Sequence, residues 1–274
     1  MKDQLDEIIK QVYNKKNKNL FTFLTGAGIS ADSGIPTYRG TDGIWIKGTK
    51  FHKPEEFGTF KYFKENPEEV WQYCLFRKKM FENVEPNESH NEIVEIENLL
   101  QDKFHLITQN IDNLHRRAGT NRIYEIHGNN REIKCSNGCK GIEYLPIEIK
   151  GKNIDEDLTE KDIELLKCKE CGDWMRPNIL WFDEVYNEET NKIFSSLKIA
   201  KNSGILFIVG TSGATNLPME IAETTLKYGG TIVDINTEDN LFTELIKDKK
   251  NKIIIRETST KTLKIIKEIL KNIC

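Results

Sequence analysis

This sequence lacks several features, and each absence removes a class of function. It has no excess of basic charge: 274 residues carry a net −3, which leaves no electrostatic footprint for a phosphate backbone. Its many lysines alternate with Glu and Asp and read as a solvated surface. No apolar run approaches the roughly 18 residues that a bilayer span needs. The opening Met1-Lys2-Asp3-Gln4-Leu5-Asp6-Glu7 has no apolar core of a secretory leader. These absences predict a cytoplasmic protein with neither nucleic acid nor membrane as a partner. There is no internal repeat and no low-complexity linker.

Six cysteines do not suggest a disulfide framework in an intracellular chain of this size. Four of them fall in two close pairs, Cys135-x-x-x-Cys139 and Cys168-x-x-Cys171. Such pairs supply four thiolates to a tetrahedral Zn²⁺ and organise a small module that lacks its own core. Asn137-Gly138 and Gly172 allow the turns that point the sulfurs inward. Four thiolates leave no open coordination position, so the metal is structural. The competing reading is four unrelated buried thiols. Cys74, in a helical aromatic segment, reads as a small core residue, and Cys274 as exposed.

What the chain does have is a glycine-rich stretch after an apolar run. Residues 20–24 read as a buried strand, and Thr25-Gly26-Ala27-Gly28-Ile29-Ser30-Ala31 follows. Gly26-x-Gly28-x-x-Ala31 fits the dinucleotide fingerprint with its accepted alanine variant. Glycine lets backbone approach a phosphate closely, and a helix starting there offers free N–H groups. A tight strand-to-helix turn is the plainer alternative. The continuation Ser33-Gly34-Ile35-Pro36-Thr37-Tyr38-Arg39-Gly40 goes beyond what a turn requires, because it sets an aromatic and a cation beside a pyrophosphate.

The rest of the chain alternates. Residues 3–18 have helical spacing at Leu5, Ile8, Ile9 and Val12. Strand-like runs lie at 104–108, 122–126, 204–209, 231–235 and 252–255, with helical patterns at 88–101, 190–201 and 217–228 between them. This predicts an α/β fold with a doubly wound, Rossmann-like, mostly parallel sheet. Ligand-binding loops should converge at the carboxyl ends of its strands. Two segments interrupt the pattern: an aromatic helical one, 45–85, and the cysteine-bearing one, 129–178. Together they predict a smaller zinc-binding and helical domain, with 1–44, 86–128 and 179–274 forming the dinucleotide domain. A second substrate belongs in the cleft between the two.

Further blocks stand at predicted strand ends. His127-Gly128 ends one strand, and imidazole is the side chain best suited to accept a proton near neutral pH. Gln109-Asn110-Ile111-Asp112 ends another, and an amide with a carboxylate can recognise a carboxamide. Gly210-Thr211-Ser212 and Asn236-Thr237-Glu238 follow two later strands, where they suit ribose hydroxyls or cap the next helices. His52, His90, His105 and His115 read as structural.

With the glycine-rich loop, Thr108 to Asp112, His127-Gly128, the split cysteine set and Gly210-Thr211-Ser212 in this order, the chain resembles the sirtuins, NAD-dependent protein lysine deacylases. The resemblance runs from about residue 20 to about 265. It implies NAD⁺ as co-substrate, held by Gly26, Ala27, Gly28, Ser30, Ala31, Thr37, Tyr38, Arg39, Trp45, Gly210, Thr211, Ser212, Asn236, Thr237 and Glu238. It implies that Gln109, Asn110, Ile111 and Asp112 hold the nicotinamide end and that His127 is the general base.

Trp181-Phe182-Asp183-Glu184-Val185 resembles the family's substrate loop, with Asp183 in place of its usual glycine. Together with residues 212–215 it would receive an acyl-lysine peptide as an added strand. Family members that remove succinyl groups carry a tyrosine and an arginine three residues apart. The counterparts here are Cys74 and Arg77, so Arg77 is either a ligand for an acidic acyl group or a surface charge. The family's first cysteine pair usually has two intervening residues where this chain has three. ADP-ribosyl transfer or NAD⁺ hydrolysis at the same cleft is the competing activity, a non-catalytic NAD⁺-sensing or zinc-ribbon module is a second alternative, and a monomer is expected.

Overall fold

The computed structural model describes residues 2–36 and 54–274. The expectations placed on Thr37, Tyr38, Arg39, Trp45 and His52 lie outside the described residues. Nine strands occur among those described: β1 (Leu20–Thr25), β2 (Phe104–Thr108), β3 (Ile123–Glu125), β4 (Gly128–Cys135), β5 (Glu143–Tyr144), β6 (Met175–Ile179), β7 (Ser203–Val209), β8 (Thr231–Asn236) and β9 (Lys252–Arg256). Six form one sheet in the order β3-β2-β1-β7-β8-β9, and every neighbouring pair is parallel.

A parallel sheet must be covered on both faces, and the strand sequences show it. Every residue of β7 is buried. Its Ile205, Phe207 and Val209 pack to one side with Leu5, Ile9, Ile93, Ile96 and Ile266. Leu206 and Ile208 pack to the other with Ala200, Leu217, Ile221 and Phe242. The helices Lys2–Tyr13, Glu88–Leu100 and Ser259–Lys271 thus cover one face, and Ile193–Asn202, Asn216–Lys227 and Leu241–Ile246 the other. Strand order reverses between β1 and β7. In open α/β sheets that crevice, at the carboxyl ends of the strands, is where ligands bind.

The second sheet is antiparallel, in the order β5-β4-β6. It cannot bury a core alone. Phe57, Phe63, Val70, Trp71 and Leu75 from the helical segment pack with Ile133, Leu166, Met175 and Trp181. The Trp71 Nε1–H donates to the Met175 carbonyl at 2.8 Å. Two segments far apart in the chain therefore share one hydrophobic cluster.

Three local expectations change. The first helix stops at Tyr13 before Lys18, whose φ is +54°. The helix expected at 190–201 is two, Glu188–Asn191 and Ile193–Asn202, parted at Lys192 with φ +56°. Each half has its own start: Asn187 caps the first, and the Glu188 carboxylate accepts the Phe194 and Ser195 N–H groups at the head of the second. The turn after β1 is a 3₁₀ helix, Ala27–Ser33, closed by Gly34 at φ +85°.

Candidate active site

The loops after β1 and β7 interlock. The Gly26 N–H donates to the Val209 carbonyl at 3.1 Å, and the Gly28 N–H to the Gly210 carbonyl at 2.8 Å. A Cβ on Gly28 would lie 2.7 Å from the Gly210 Cα, and one on Gly26 would lie 2.5 Å from the Thr211 Cβ. The sequence suggested glycines that make room for a ligand. In the fold, the space that a side chain at either position would take is occupied by the loop after β7. Replacing Gly28 with alanine should therefore cost about 1–3 kcal/mol by overpacking, read as a lower melting temperature, and weaken dinucleotide binding as the two loops part.

Behind this turn lies a polar cluster. Ser30, fully buried, donates its hydroxyl proton to the Asp112 Oδ2 at 2.7 Å. The Asn110 Nδ2 donates to the Gly26 carbonyl at 3.0 Å and to the Ser30 Oγ at 3.2 Å. The Asp112 Oδ1 accepts the Leu114 N–H at 2.9 Å. Burial pushes the Asp112 carboxyl up, and these bonds together with the charges of Arg77 and Arg117 hold it back. Arg77 is half-buried, lies 5.6 Å from the Phe81 ring centroid, and stands close enough for Asp112 and Cys74 to feel its charge. Burial raises the Cys74 thiol to about 12. Ala27 is half-buried and Ala31 exposed along the same turn, and the Ile111 carbonyl accepts the Asn130 N–H at 2.9 Å.

Gln109 ties β2 to the loop after β7. Its Nε2 donates to the Thr211 Oγ1 at 2.8 Å, and its Oε1 accepts the Thr215 hydroxyl at 3.1 Å. Its main-chain carbonyl meets His127. Burial drives the His127 pKa down to about 4, and the Gln109 carbonyl pulls the other way. The imidazole is therefore neutral near pH 7 and able to accept a proton. Its Nε2 lies 2.9 Å from the Tyr186 hydroxyl, a residue one position beyond the loop the sequence singled out.

Two other histidines back the cluster. The Asn87 N–H donates to the His90 Nδ1, so the His90 Nε2–H faces the Ser30 Oγ at 3.4 Å. Thr25 gives its proton to Thr108, so the His115 Nε2–H donates to the Thr25 Oγ1 at 3.0 Å. Burial lowers His90 and His105 to about 4, with Arg122 adding to the effect on His105. Burial also sets His115 well below the ordinary value of 6.5, with His90 reinforcing it. Each folded pKa lies below the unfolded one, so folding favours the neutral ring. That contribution is intact above pH 6.5 and is lost as pH falls through about 4. Thermal melts between pH 7 and pH 4 should show a steep loss of stability over this window, and substituting His90 or His115 with glutamine should flatten it.

The loop 181–185 splits by role. Trp181 is buried. The Asp183 carboxylate accepts the Phe60 and Lys61 N–H groups at 2.7 and 3.0 Å, holding the N-terminus of the helix Phe60–Glu65. An aspartate in place of glycine here clamps the loop to the helical segment. Glu184 pairs with the buried Arg176 and accepts the Trp181 N–H. The carboxylates of Asp183 and Glu184 are thus engaged within the protein, and the outward side chains are Phe182 and Val185. At the far end of the sheet edge, Ser212, Thr237 and Glu238 are exposed. Asn236 donates to Asp234, which also accepts from Arg256 at 3.2 Å and Thr243 at 2.8 Å. This buried carboxylate network went unnoticed in the sequence, because its members are spread over two strands and a helix.

The four paired cysteines converge. Their sulfurs all lie within 4.8 Å of one another, with Cys139 at 3.2, 3.3 and 3.5 Å from Cys135, Cys168 and Cys171. A tetrahedron with Zn–S bonds of about 2.3 Å has edges of nearly this length, so the set fits Zn²⁺ with every position filled. Gly138 and Gly172, at φ +71° and +75°, make the turns. Main-chain N–H groups of Cys171 and Glu170 pull the Cys168 thiol down to about 7, favouring the thiolate a metal needs. The third intervening residue in the first pair does not keep its two sulfurs apart.

Among the described residues no helix is long and apolar enough to cross a membrane. Residues 26–216 match the profile of the Sir2 family. A protein of Pyrococcus abyssi named NAD-dependent protein deacylase is 37% identical over 240 residues, 87% of this chain and 89% of that one. One of the same name from Leptospira interrogans is 34% identical over 253 residues, 91% and 92% of the two chains. A crystal structure described as a Sir2 homologue–NAD complex superposes with a TM-score of 0.78 at 28% identity, covering 98% of this chain and 95% of the other.

Proposed function

Since this chain belongs to the Sir2 family, we propose that the cleft at the carboxyl ends of β1, β2, β3 and β7 carries out NAD⁺-dependent removal of acyl groups from protein lysines. One observation carries the assignment of roles: a neutral imidazole, His127, opens on the same edge as the Asn110–Ser30–Asp112 cluster, and Gln109, which precedes Asn110 in the chain, presents its main-chain carbonyl to the imidazole. NAD⁺ is a substrate here, consumed in each turnover. Its pyrophosphate lies along residues 26–30, its ribose hydroxyls face Gly210 to Ser212 and Asn236 to Glu238, and its carboxamide meets Asn110 and Asp112.

The acyl-lysine carbonyl oxygen attacks the ribose carbon as nicotinamide leaves. His127 then accepts a proton from the ribose hydroxyls, and the 2′-oxygen closes on the imidate carbon. Water completes transfer to give lysine and O-acyl-ADP-ribose. The demand on the protein is to stabilise an oxocarbenium-like state in a dry cleft. Bound Zn²⁺ would supply no chemistry to this sequence of steps; its four cysteines would tie the end of β4 to the turn before β6.

The division into a dinucleotide domain (1–44, 86–128, 179–274) and a smaller one (45–85, 129–178) belongs to this reading, supported by the separate hydrophobic cluster of the second sheet. Phe182 and Val185 line the acyl-lysine peptide's path. Arg77, beside Asp112, favours an acidic acyl group. The enzyme works as a monomer and without nucleic acid, the latter in keeping with its net charge of −3. It works in the cytoplasm, where reduced thiols persist for the metal.

Mass spectrometry of a mixed acyl-lysine peptide library incubated with NAD⁺ tests the reading. The expected products are free lysine peptides and acylated ADP-ribose. ADP-ribosylated peptide, or free ADP-ribose with every acyl group intact, would instead establish transferase or glycohydrolase activity.

A further inference from the structure

Tyr186 has no part in the chemistry described so far, yet its phenolic oxygen is the hydrogen-bond partner of the His127 Nε2, at 2.9 Å. Its ring is not a loose lid. It packs against the cluster beneath the sheet alongside Ile193, Leu197 and Met219, at 5.9 Å from the imidazole centroid. The Thr215 Oγ1 lies near the same phenolic oxygen and gives its proton to the Gln109 Oε1. The Gln109 main-chain carbonyl is the other group on the imidazole. A carbonyl only accepts, so the ring nitrogen facing it carries the proton. The nitrogen facing Tyr186 is then the bare one.

We propose that Tyr186 is a positioning residue for His127, fixing the tautomer that leaves Nε2 unprotonated and accepting from the Nε2–H once the base has been protonated. The inference rests on the deacylase reading of this cleft. In the resting state the Tyr186 O–H donates to Nε2. When a ribose hydroxyl gives up its proton, the ribose O–H bond breaks and the Nε2–H bond forms. The Tyr186 proton turns to the Thr215 Oγ1, and the phenolic oxygen accepts from the new Nε2–H. No other proton moves, because the Thr215 proton stays on Gln109. A phenol serves both charge states of the imidazole because it is donor and acceptor at once.

The test is Tyr186→Phe in the zinc-loaded full chain, which keeps the packed ring and removes only the oxygen. ¹⁵N NMR of the resting parent protein should show the His127 Nε2 as an unprotonated, hydrogen-bonded nitrogen, and its signal should shift in Y186F. The value of kcat should fall about tenfold, as for one hydrogen bond lost from a transition state. KM for NAD⁺ and for peptide should stay within about twofold. A protonated Nε2 in the parent, an unchanged nitrogen signal in Y186F, or an unchanged kcat would each overturn the proposal. The nitrogen signals need no turnover. A parent chain that deacylates nothing therefore sinks the proposed function, while NMR judges the contact separately.

Discussion

Replacing His127 with alanine should lower kcat/KM for deacylation by about 10²–10⁴, the usual contribution of a positioned general base. The dissociation constant for NAD⁺ should change by no more than a few-fold. The asymmetry follows from position. The imidazole stands at the end of β3, whereas the loops that interlock around Gly26, Gly28 and Gly210 do not depend on it. Steady-state kinetics paired with calorimetric titration of NAD⁺ measures both quantities. The pH profile adds a signed check. Burial lowers the His127 pKa to about 4, so the base is already free at pH 5. The acid limb that belongs to this group in kcat/KM should therefore lie well below the 6.5 of an ordinary histidine. Wild-type turnover in the alanine variant would remove His127 from the mechanism.

Removing the zinc should abolish activity and unfold the smaller sheet while leaving the parallel sheet standing. Cys135 and Cys168 are buried in the same cluster as Trp71, Met175 and Trp181, so a metal on the four sulfurs reinforces the link between the end of β4 and the turn before β6 that the Ser136–Trp174 and Asn137–Asp173 hydrogen bonds begin. Structural zinc sites contribute folding free energy directly. Chelation, or Cys168→Ala, should expose Trp71 and Trp181, visible as a red shift in tryptophan emission. Amide exchange should accelerate in β4 and β6 and stay slow in β1 and β7. The peptide loop follows, because Glu184 is anchored to Arg176 on β6. A chelated protein that keeps its activity and its emission would show that the four sulfurs gather without a metal.

Much of this was legible in the chain, and the physical reasons differ by element. Strands β1 and β7 are continuous apolar runs, which a parallel sheet buried on both faces demands, so their place at the centre follows from composition. The cysteine pairs carry their geometry locally, through the glycines between and after them. The break at Lys192 was hidden because two helix starts, after Asn187 and after Lys192, fall within one hydrophobic period. The packing of Gly26 and Gly28 was hidden because the atoms that crowd them belong to Gly210 and Thr211, far along the chain. Asp183 looked like a departure from the substrate loop of the family. Its function, capping the helix Phe60–Glu65, exists only once the two segments meet. Tyr186 gave no signal at all, since nothing in its neighbours in sequence announces a histidine 59 positions earlier.

The central claim is that one cleft breaks the glycosidic bond of NAD⁺ and passes the ribose to an acyl-lysine beside His127. Simultaneous chromatographic measurement of nicotinamide and deacylated peptide tests it most directly. One nicotinamide should be released per acyl group removed, with little release when the peptide is absent. Nicotinamide released at full rate without peptide, or with every acyl group still in place, would contradict it.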